Sequence, residues 1–252
     1  MLEGKTIIST RPISSDDQIG IALEALGVHV IHCPVIEIQP VQVPLEILYK
    51  VLNAANHNWL VFTSSNGVDH FFNQIEKSGI KIQSFKIAVF GNRTAEALAS
   101  RGHEANLINA ENSSADLLKD LLAVLGPADR VLLILGRQAS DLIMQGLKNK
   151  VQVDRIDVYE TLSLAIKNKE IVDLLENGRY DLILFTSPTG YRSFKQQAGP
   201  LLDLDKLKIA CLGPTTQKEL LLDGLRPNVM AKPSGKNGLI KELEEYFERI
   251  HN

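Results

Sequence analysis

Apolar residues in this chain fall into short runs of strand length. Each run is followed by a turn rich in hydroxyls or glycine, and then by a stretch with helical spacing. The clearest case is residues 59–68 (WLVFTSSNGV), which lead into Asp69-His70-Phe71-Phe72-Asn73. A continuous apolar run of this length predicts a buried parallel strand that enters a loop and then a helix. The pattern returns at residues 181–195 (DLILFTSPTGYRSFK), where Phe185-Thr186-Ser187 aligns with Phe62-Thr63-Ser64 at an offset of 123 residues.

The remaining runs predict an alternation of strand and helix. Residues 5–10 read as a strand closed by Thr10-Arg11-Pro12. A helix with Ser14 or Ser15 as N-cap follows and runs through Leu26 to Gly27. A strand over 28–33 stops at Pro34. Residues 35–43 (VIEIQPVQV) alternate apolar and polar positions around Pro40, which predicts an exposed connecting strand. Residues 45–55 have helical period. The strand at Trp59 is followed by a helix through Lys77, a strand over 86–90, and a helix opened by Gly91-Asn92-Arg93-Thr94 that ends at Gly102. A short strand at 105–108 precedes a helix capped by Asn112-Ser113-Ser114-Ala115 that reaches Val124. Then come a strand over 130–135, the turn Gly136-Arg137, a helix over 140–150 and a long strand over 151–161. A helix over 170–176 leads back to the run at Asp181. Residues 208–212 with Gly213-Pro214-Thr215-Thr216 mirror the unit that starts at Lys86.

That last correspondence has an offset of 122 residues and pairs Gly91 with Gly213, Thr94 with Thr216, Leu98 with Leu220 and Gly102 with Gly224. Residues 130–153 likewise resemble 5–30, with Arg137 against Arg11. The repeats predict two similar α/β domains, each a flavodoxin-like, doubly wound parallel sheet of about five strands. The first takes residues 1–34 and 164–252, and the second, inserted into it, takes 44–150. Residues 35–43 and 151–163 are the two crossings, expected as a two-stranded antiparallel β hinge.

In open parallel sheets, ligands bind beyond the carboxyl ends of the strands. Every distinctive turn here follows a strand and opens a helix, where free N–H groups and the helix dipole favour anions. Arg11, Thr63, Ser64, Ser65, Asn66, Thr94, Arg137, Thr186, Ser187, Thr215 and Thr216 are therefore the candidate binding residues, and they suit a polyanion in a cleft between the domains. Each turn also has a plainer reading. Ser, Thr and Asn are preferred N-caps, and Asn66-Gly67 could form a turn with positive φ.

Composition narrows the classes. Hydrophobic residues make up 44% and charged residues 23%, an ordinary globular balance, and the net charge of −3 argues against a nucleic-acid face. The apolar runs are too short to span a membrane. No basic stretch followed by an apolar one marks the start, so a cytoplasmic protein is expected. Cys33 and Cys211 end apolar runs and are expected to be buried and unpaired. No phosphate loop, dinucleotide fingerprint or nucleophile elbow is present. His29 and His32 lie three apart in a strand, so they point to opposite faces and make no metal site. No exposed apolar helix calls for an obligate partner, so a monomer is expected.

T-R-P after the first strand, F-T-S-x-N-G at Phe62, V-Y-E-T at Val158, F-T-S-P at Phe185 and two G-x-x-T units together resemble the uroporphyrinogen-III synthase family across essentially the whole chain. The resemblance implies a two-domain α/β enzyme that uses no cofactor. Its substrate would be hydroxymethylbilane, a linear tetrapyrrole rich in carboxylates. Water leaves the terminal hydroxymethyl group, ring D inverts through a spiro intermediate, and the macrocycle closes as uroporphyrinogen III. The resemblance makes Tyr159 the candidate acid for the departing hydroxyl. A phenol is weak in that role, worth about 100-fold, near the low end for a positioned acid; the plainer reading is a ring packed at the hinge that bonds a carbonyl. The hydroxyls at Thr63, Ser64, Ser65, Thr186, Ser187, Thr215 and Thr216 match family positions that hold carboxylates, and Arg11 and Arg137 would add charge. Tyr191 stands where the family often has a small apolar residue, which implies a different wall to the cleft there. A transient contact with the upstream hydroxymethylbilane synthase is compatible with this reading. The alternative of another class is a cytoplasmic two-domain clamshell that binds a small polyanion without turnover.

Overall fold

The computed structural model describes residues 2–12, 17–52, 57–81, 85–109, 113–199 and 202–251. In chain order the elements are β1 (Thr6–Ser9), α1 (Gln18–Glu24), β2 (His29–His32), β3 (Ile36–Pro40), α2 (Leu45–Val51), β4 (Trp59–Phe62), α3 (Ser65–Ser78) and β5 (Lys86–Phe90). They continue with α4 (Asn92–Ser100), β6 (Leu107–Asn109), α5 (Ser114–Val124), β7 (Arg130–Gly136), α6 (Leu142–Leu147), β8 (Gln152–Ser163), α7 (Lys169–Glu176) and β9 (Leu182–Phe185). The last are α8 (Pro188–Ala198), a 3₁₀ turn (Leu204–Lys206), β10 (Ile209–Cys211), α9 (Pro214–Leu222), β11 (Val229–Met230) and α10 (Lys236–His251). Ser14, Ser15, Ala55 and Asn112, expected as cap or helix residues, lie outside the described residues. Asp17 caps α1 by accepting from the Gly20 amide.

The chain divides into two compact units, Met1–Glu37 with Leu162–Asn252, and Ile38–Thr161. The first holds a five-stranded sheet in the order β11-β10-β9-β1-β2, and each neighbouring pair is parallel. Alternate residues of its strands feed opposite faces. Ile8, Ile183, Phe185, Ile209 and Cys211 pack with Ile171 and Leu175 of α7, Tyr191 and Phe194 of α8, and Leu220 of α9. Ile7, Leu182, Leu184 and Ala210 pack with Ile19 and Leu23 of α1 and with Leu239, Leu243 and Phe247 of α10. Helices on both faces make the sheet doubly wound, which is why Leu182–Phe185 is apolar at every position and buried throughout.

The second unit repeats the scheme around the sheet order β3-β8-β7-β4-β5-β6. Leu60, Phe62, Ile87, Val89, Leu132 and Ile134 face α2, α3 and α4 through Leu48, Phe71 and Leu98. Trp59, Val61, Ala88, Val131 and Leu133 face α5 and α6 through Leu121 and Ile143. This sheet has six strands where about five were expected, because β3 adds an edge. The start of that crossing also departs from expectation. Val35 and Ile36 are buried in the first unit's core rather than exposed, with the Val35 carbonyl taking hydrogen bonds from Ser193 Oγ and the Leu164 amide. Only from Glu37 onward does the segment meet solvent. Leu164 donates to Val35 and Val41 to Val158, so numbers rise along one strand as they fall along its neighbour.

Candidate active site

In the second unit, β4 delivers Thr63 and Ser64 to the start of α3. Ser64 is the N-cap, with φ −158° and ψ 152°, and its Oγ accepts from the Gly67 amide at 3.1 Å. Thr63, Ser64, Ser65 and Asn66 are half-buried at the carboxyl end of the strand. Asn66 and Gly67 are helical rather than a positive-φ turn. Gly67 is glycine for a steric reason: a Cβ there would lie 3.2 Å from the Ile134 carbonyl oxygen.

Tyr159 joins this corner from β8. The pairing of β7 with β8 slips between Leu135 and Gly136, so that Leu135 faces Asp157 and Gly136 faces Tyr159. Such a bulge re-aims the side chains beyond it. Val158 goes fully into the core, and the phenol of Tyr159 stays half-buried with its oxygen 3.0 Å from Ser64 Oγ. The ring stacks on His70, with centroids 5.7 Å apart and planes 23° apart. Burial holds the His70 imidazole below its ordinary pKa, with the nearby Asp69 carboxylate working the other way. Candidate acid, capping hydroxyl and helix N-terminus thus meet within one unit.

The other candidates of this unit divide. Arg137 is exposed and pairs with Glu160 at 2.8 Å. Gly91, at φ +80°, turns the chain into α4 without a capping side chain. Thr94 sits in the first turn of α4 at 3% exposure, its hydroxyl withdrawn from solvent. Among the described residues, no three His, Cys, Asp or Glu side chains converge on a metal site.

The first unit carries the sister turn. Ser187 caps α8 with φ −150° and ψ 152°, nearly the angles of Ser64, and accepts from the Gly190 amide at 3.0 Å. Thr186 beside it is half-buried. Thr10, buried at the end of β1, donates to the Leu184 carbonyl at 2.8 Å, and Arg11 lies 3.2 Å from the Asp17 carboxylate. At the start of α9, Thr215 is exposed and Thr216 is 1% exposed. Thr216 and Thr94, expected to meet carboxylates, are thus both inside: the third residue of each helix turns toward its own sheet. Tyr191 is also not a wall of any cleft. It is fully buried, edge-on to Phe185 at 5.4 Å, and its hydroxyl donates to Asp223 at 2.7 Å. Burial first, then Asp223, pushes its pKa well above the ordinary phenol value.

A family model described as uroporphyrinogen-III synthase HemD matches residues 17–241. The chain belongs to the uroporphyrinogen-III synthase HemD family. A uroporphyrinogen-III synthase of Synechococcus elongatus is 27% identical over 258 residues, covering 97% of this chain and 96% of the relative. A porphyrin biosynthesis protein HemD of Ruminiclostridium josui is 26% identical over 248 residues, and there the chain spans about half, 49%, of the relative's length. Among solved structures, a mutant uroporphyrinogen III synthase of Thermus thermophilus superposes with a TM-score of 0.70 at 15% identity, over 97% of this chain and 99% of that one. A Helicobacter pylori uroporphyrinogen-III synthetase gives 0.59 at 16% identity, over 94% and 97%. These two likenesses establish the shared two-domain α/β fold. The family membership favours an enzyme over a binding module without turnover.

Among the described residues, His70 and Gly136 meet Tyr159 in a way that the sequence pattern does not announce. His70 lies in the second turn of α3 and Gly136 at the end of β7. A bulge that no local pattern announces brings both to the phenol.

Proposed function

We propose that the chain converts hydroxymethylbilane to uroporphyrinogen III, as a cofactor-independent cyclising lyase of tetrapyrrole biosynthesis. Tyr159 gives its proton to the hydroxymethyl oxygen, the C–O bond breaks and water leaves. As the phenol proton departs, the Ser64 hydroxyl can donate to the charge left on the phenol oxygen, 3.0 Å away. A donor fixed beforehand at an atom where charge develops stabilises the transition state without reorganising. Thr63, Ser65, Asn66, Thr186, Ser187 and Thr215, with Arg11 and Arg137, receive carboxylates at helix N-termini. Thr94 and Thr216 have no such role in this reading. The bilane closes on its own without inverting ring D, so the protein's main contribution is to hold a conformation in which inverting closure wins. We place this activity in the cytoplasm, where reducing conditions match buried, unpaired Cys33 and Cys211. A monomer in transient contact with hydroxymethylbilane synthase completes the proposal.

The observation that carries the reading is the Tyr159–Ser64 contact at the N-terminus of α3, in a chain whose family match runs from residue 17 to 241. The test is incubation with hydroxymethylbilane and chromatographic separation of the uroporphyrin isomers after oxidation. The type III isomer should dominate, and Tyr159→Phe should slow its formation about 100-fold or less. Type I alone from the unaltered protein would overturn the reading.

A further inference from the structure

We propose that Gly136 and His70 are positioning residues that together clamp the Tyr159 phenol where its hydroxyl meets Ser64, Gly136 by having no side chain and His70 by offering a ring face. This rests on the reading of Tyr159 as the proton donor. A Cβ on Gly136 would lie 2.5 Å from Cζ, 2.7 Å from Cε2 and 2.9 Å from the hydroxyl oxygen of Tyr159. Carbon atoms do not approach so closely, so any side chain there must displace the edge of the phenol that carries the hydroxyl. The glycine is not needed for its backbone freedom, since its φ is not positive.

Gly136 also cannot retreat. Its carbonyl accepts from Arg155 Nη2 at 3.1 Å, the Arg137 carbonyl accepts from the same atom at 3.2 Å, and the Ala139 carbonyl accepts from Arg155 Nη1 at 3.1 Å. The Arg137 amide donates to the Tyr159 carbonyl at 2.8 Å. The loop after β7 is therefore fastened to β8 on both sides of the contact, and a methyl group at Gly136 would move the phenol rather than the backbone. On its face, the ring is held by His70, which α3 carries two turns from the Ser64 cap. Arg101, just past the end of α4, pairs with Asp69 at 3.1 Å and with Glu76 at 3.1 Å, tying down the stretch of α3 that bears His70. Ring pairs at this separation favour a defined mutual orientation and add stabilisation beyond the area they bury.

The test uses the full chain and compares Gly136→Ala, His70→Ala and His70→Phe, each in the native background and with Tyr159→Phe. Thermal melting checks folding. In the native background, Gly136→Ala and His70→Ala should lower kcat about 10-fold with KM within about twofold, and His70→Phe, which keeps a ring face, should recover most of that loss. With Tyr159→Phe neither substitution should add more than about twofold, because groups acting through one atom are not additive. Equal losses in both backgrounds, or a change confined to KM, would overturn the clamp. The placement is also read without turnover, through the ¹³Cζ resonance of Tyr159, assigned by its loss in Tyr159→Phe. That line should shift in Gly136→Ala and His70→Ala. A line that stays put overturns the clamp, even if Tyr159 proves irrelevant to catalysis. If Gly136→Ala does not fold, the two His70 variants decide the matter alone.

Discussion

Ser64→Ala removes two things at once: the N-cap of α3 and the hydrogen-bond partner of Tyr159. Loss of a serine cap costs about 1 kcal/mol. Loss of a half-buried hydroxyl contact adds about 0.5–1.5 kcal/mol. The same unit supplies a control. Ser113 caps α5 by accepting from the Asp116 amide and donating to the Asp116 carboxylate, and it is exposed, so Ser113→Ala should cost about 1 kcal/mol from this local cap. The single tryptophan of the chain, Trp59, is 4% exposed at the start of β4, and its fluorescence reports unfolding of the unit that holds all three residues. With a urea slope of about 2 kcal/mol/M, Ser64→Ala should move the midpoint down by roughly 1 M and Ser113→Ala by about half that. Combined with Tyr159→Phe, Ser64→Ala should show a coupling of about 1 kcal/mol, whereas Ser113→Ala should add independently. If the two serine variants prove equally costly and Ser64 does not couple to Tyr159, the hydroxyl pair is not a working contact and the proposed mechanism loses its second donor.

Burial pushes the thiols of Cys33 and Cys211 up to about 11, so a thiol reagent at pH 8 should leave both unmodified until urea is added; fast labelling of the native protein would contradict their burial. Lys195 first, and the Tyr191 hydroxyl second, hold the Asp223 carboxyl below its ordinary range, so it adds stability above about pH 4 that is lost as pH falls through its folded value; Asp223→Asn should flatten acid unfolding below pH 4, and an unchanged acid limb would refute this. Phe62→Ala empties a site between Phe71 at 5.6 Å and Phe72 at 6.1 Å and should cost about 3–5 kcal/mol by the same tryptophan assay, with a loss under 1 kcal/mol counting against the packing described. Arg137→Gln breaks only an exposed pair, so stability should hold within about 0.5 kcal/mol while KM for the bilane rises; an unchanged KM would leave Arg137 a surface residue.

The α/β class was legible because its signal is local. WLVF and LILF are uninterrupted apolar quartets with hydroxyls after them, and a strand covered on both faces needs just that. Ser64 and Ser187 could be read as caps for the same reason. What failed depended on partners remote in sequence. Val35 and Ile36 look like an exposed connection when followed by Glu37 and Pro40, yet the Ser193 hydroxyl and the core beneath α8 draw them inside. Tyr191 stands where the resembled family often has a small apolar residue of the cleft wall, but helical phase turns it toward Phe185 and Asp223. Thr94 and Thr216 form a matched pair in the repeat. The match reflects a shared way of seating a helix on a sheet, which repetition preserves as faithfully as it preserves function. His70 and Gly136 escaped because a register slip between β7 and β8 sets their distance to Tyr159.

β1 lies between β2 and β9 in its sheet, and β9 begins about 170 residues later in the chain. At ribosomal rates of about 5–20 residues per second, Ile7 and Ile8 spend roughly 10–35 seconds with one flank unsheltered. The stretch Ile38–Thr161 emerges whole within that interval and is free to collapse first. Synthesis must therefore pass through a stage in which β1 and β2 form an incomplete sheet while Ile38–Thr161 is already finished, and a chaperone that lingers on the stretch around β1 and β2 would protect this protein more than one that acts only after β9 has emerged.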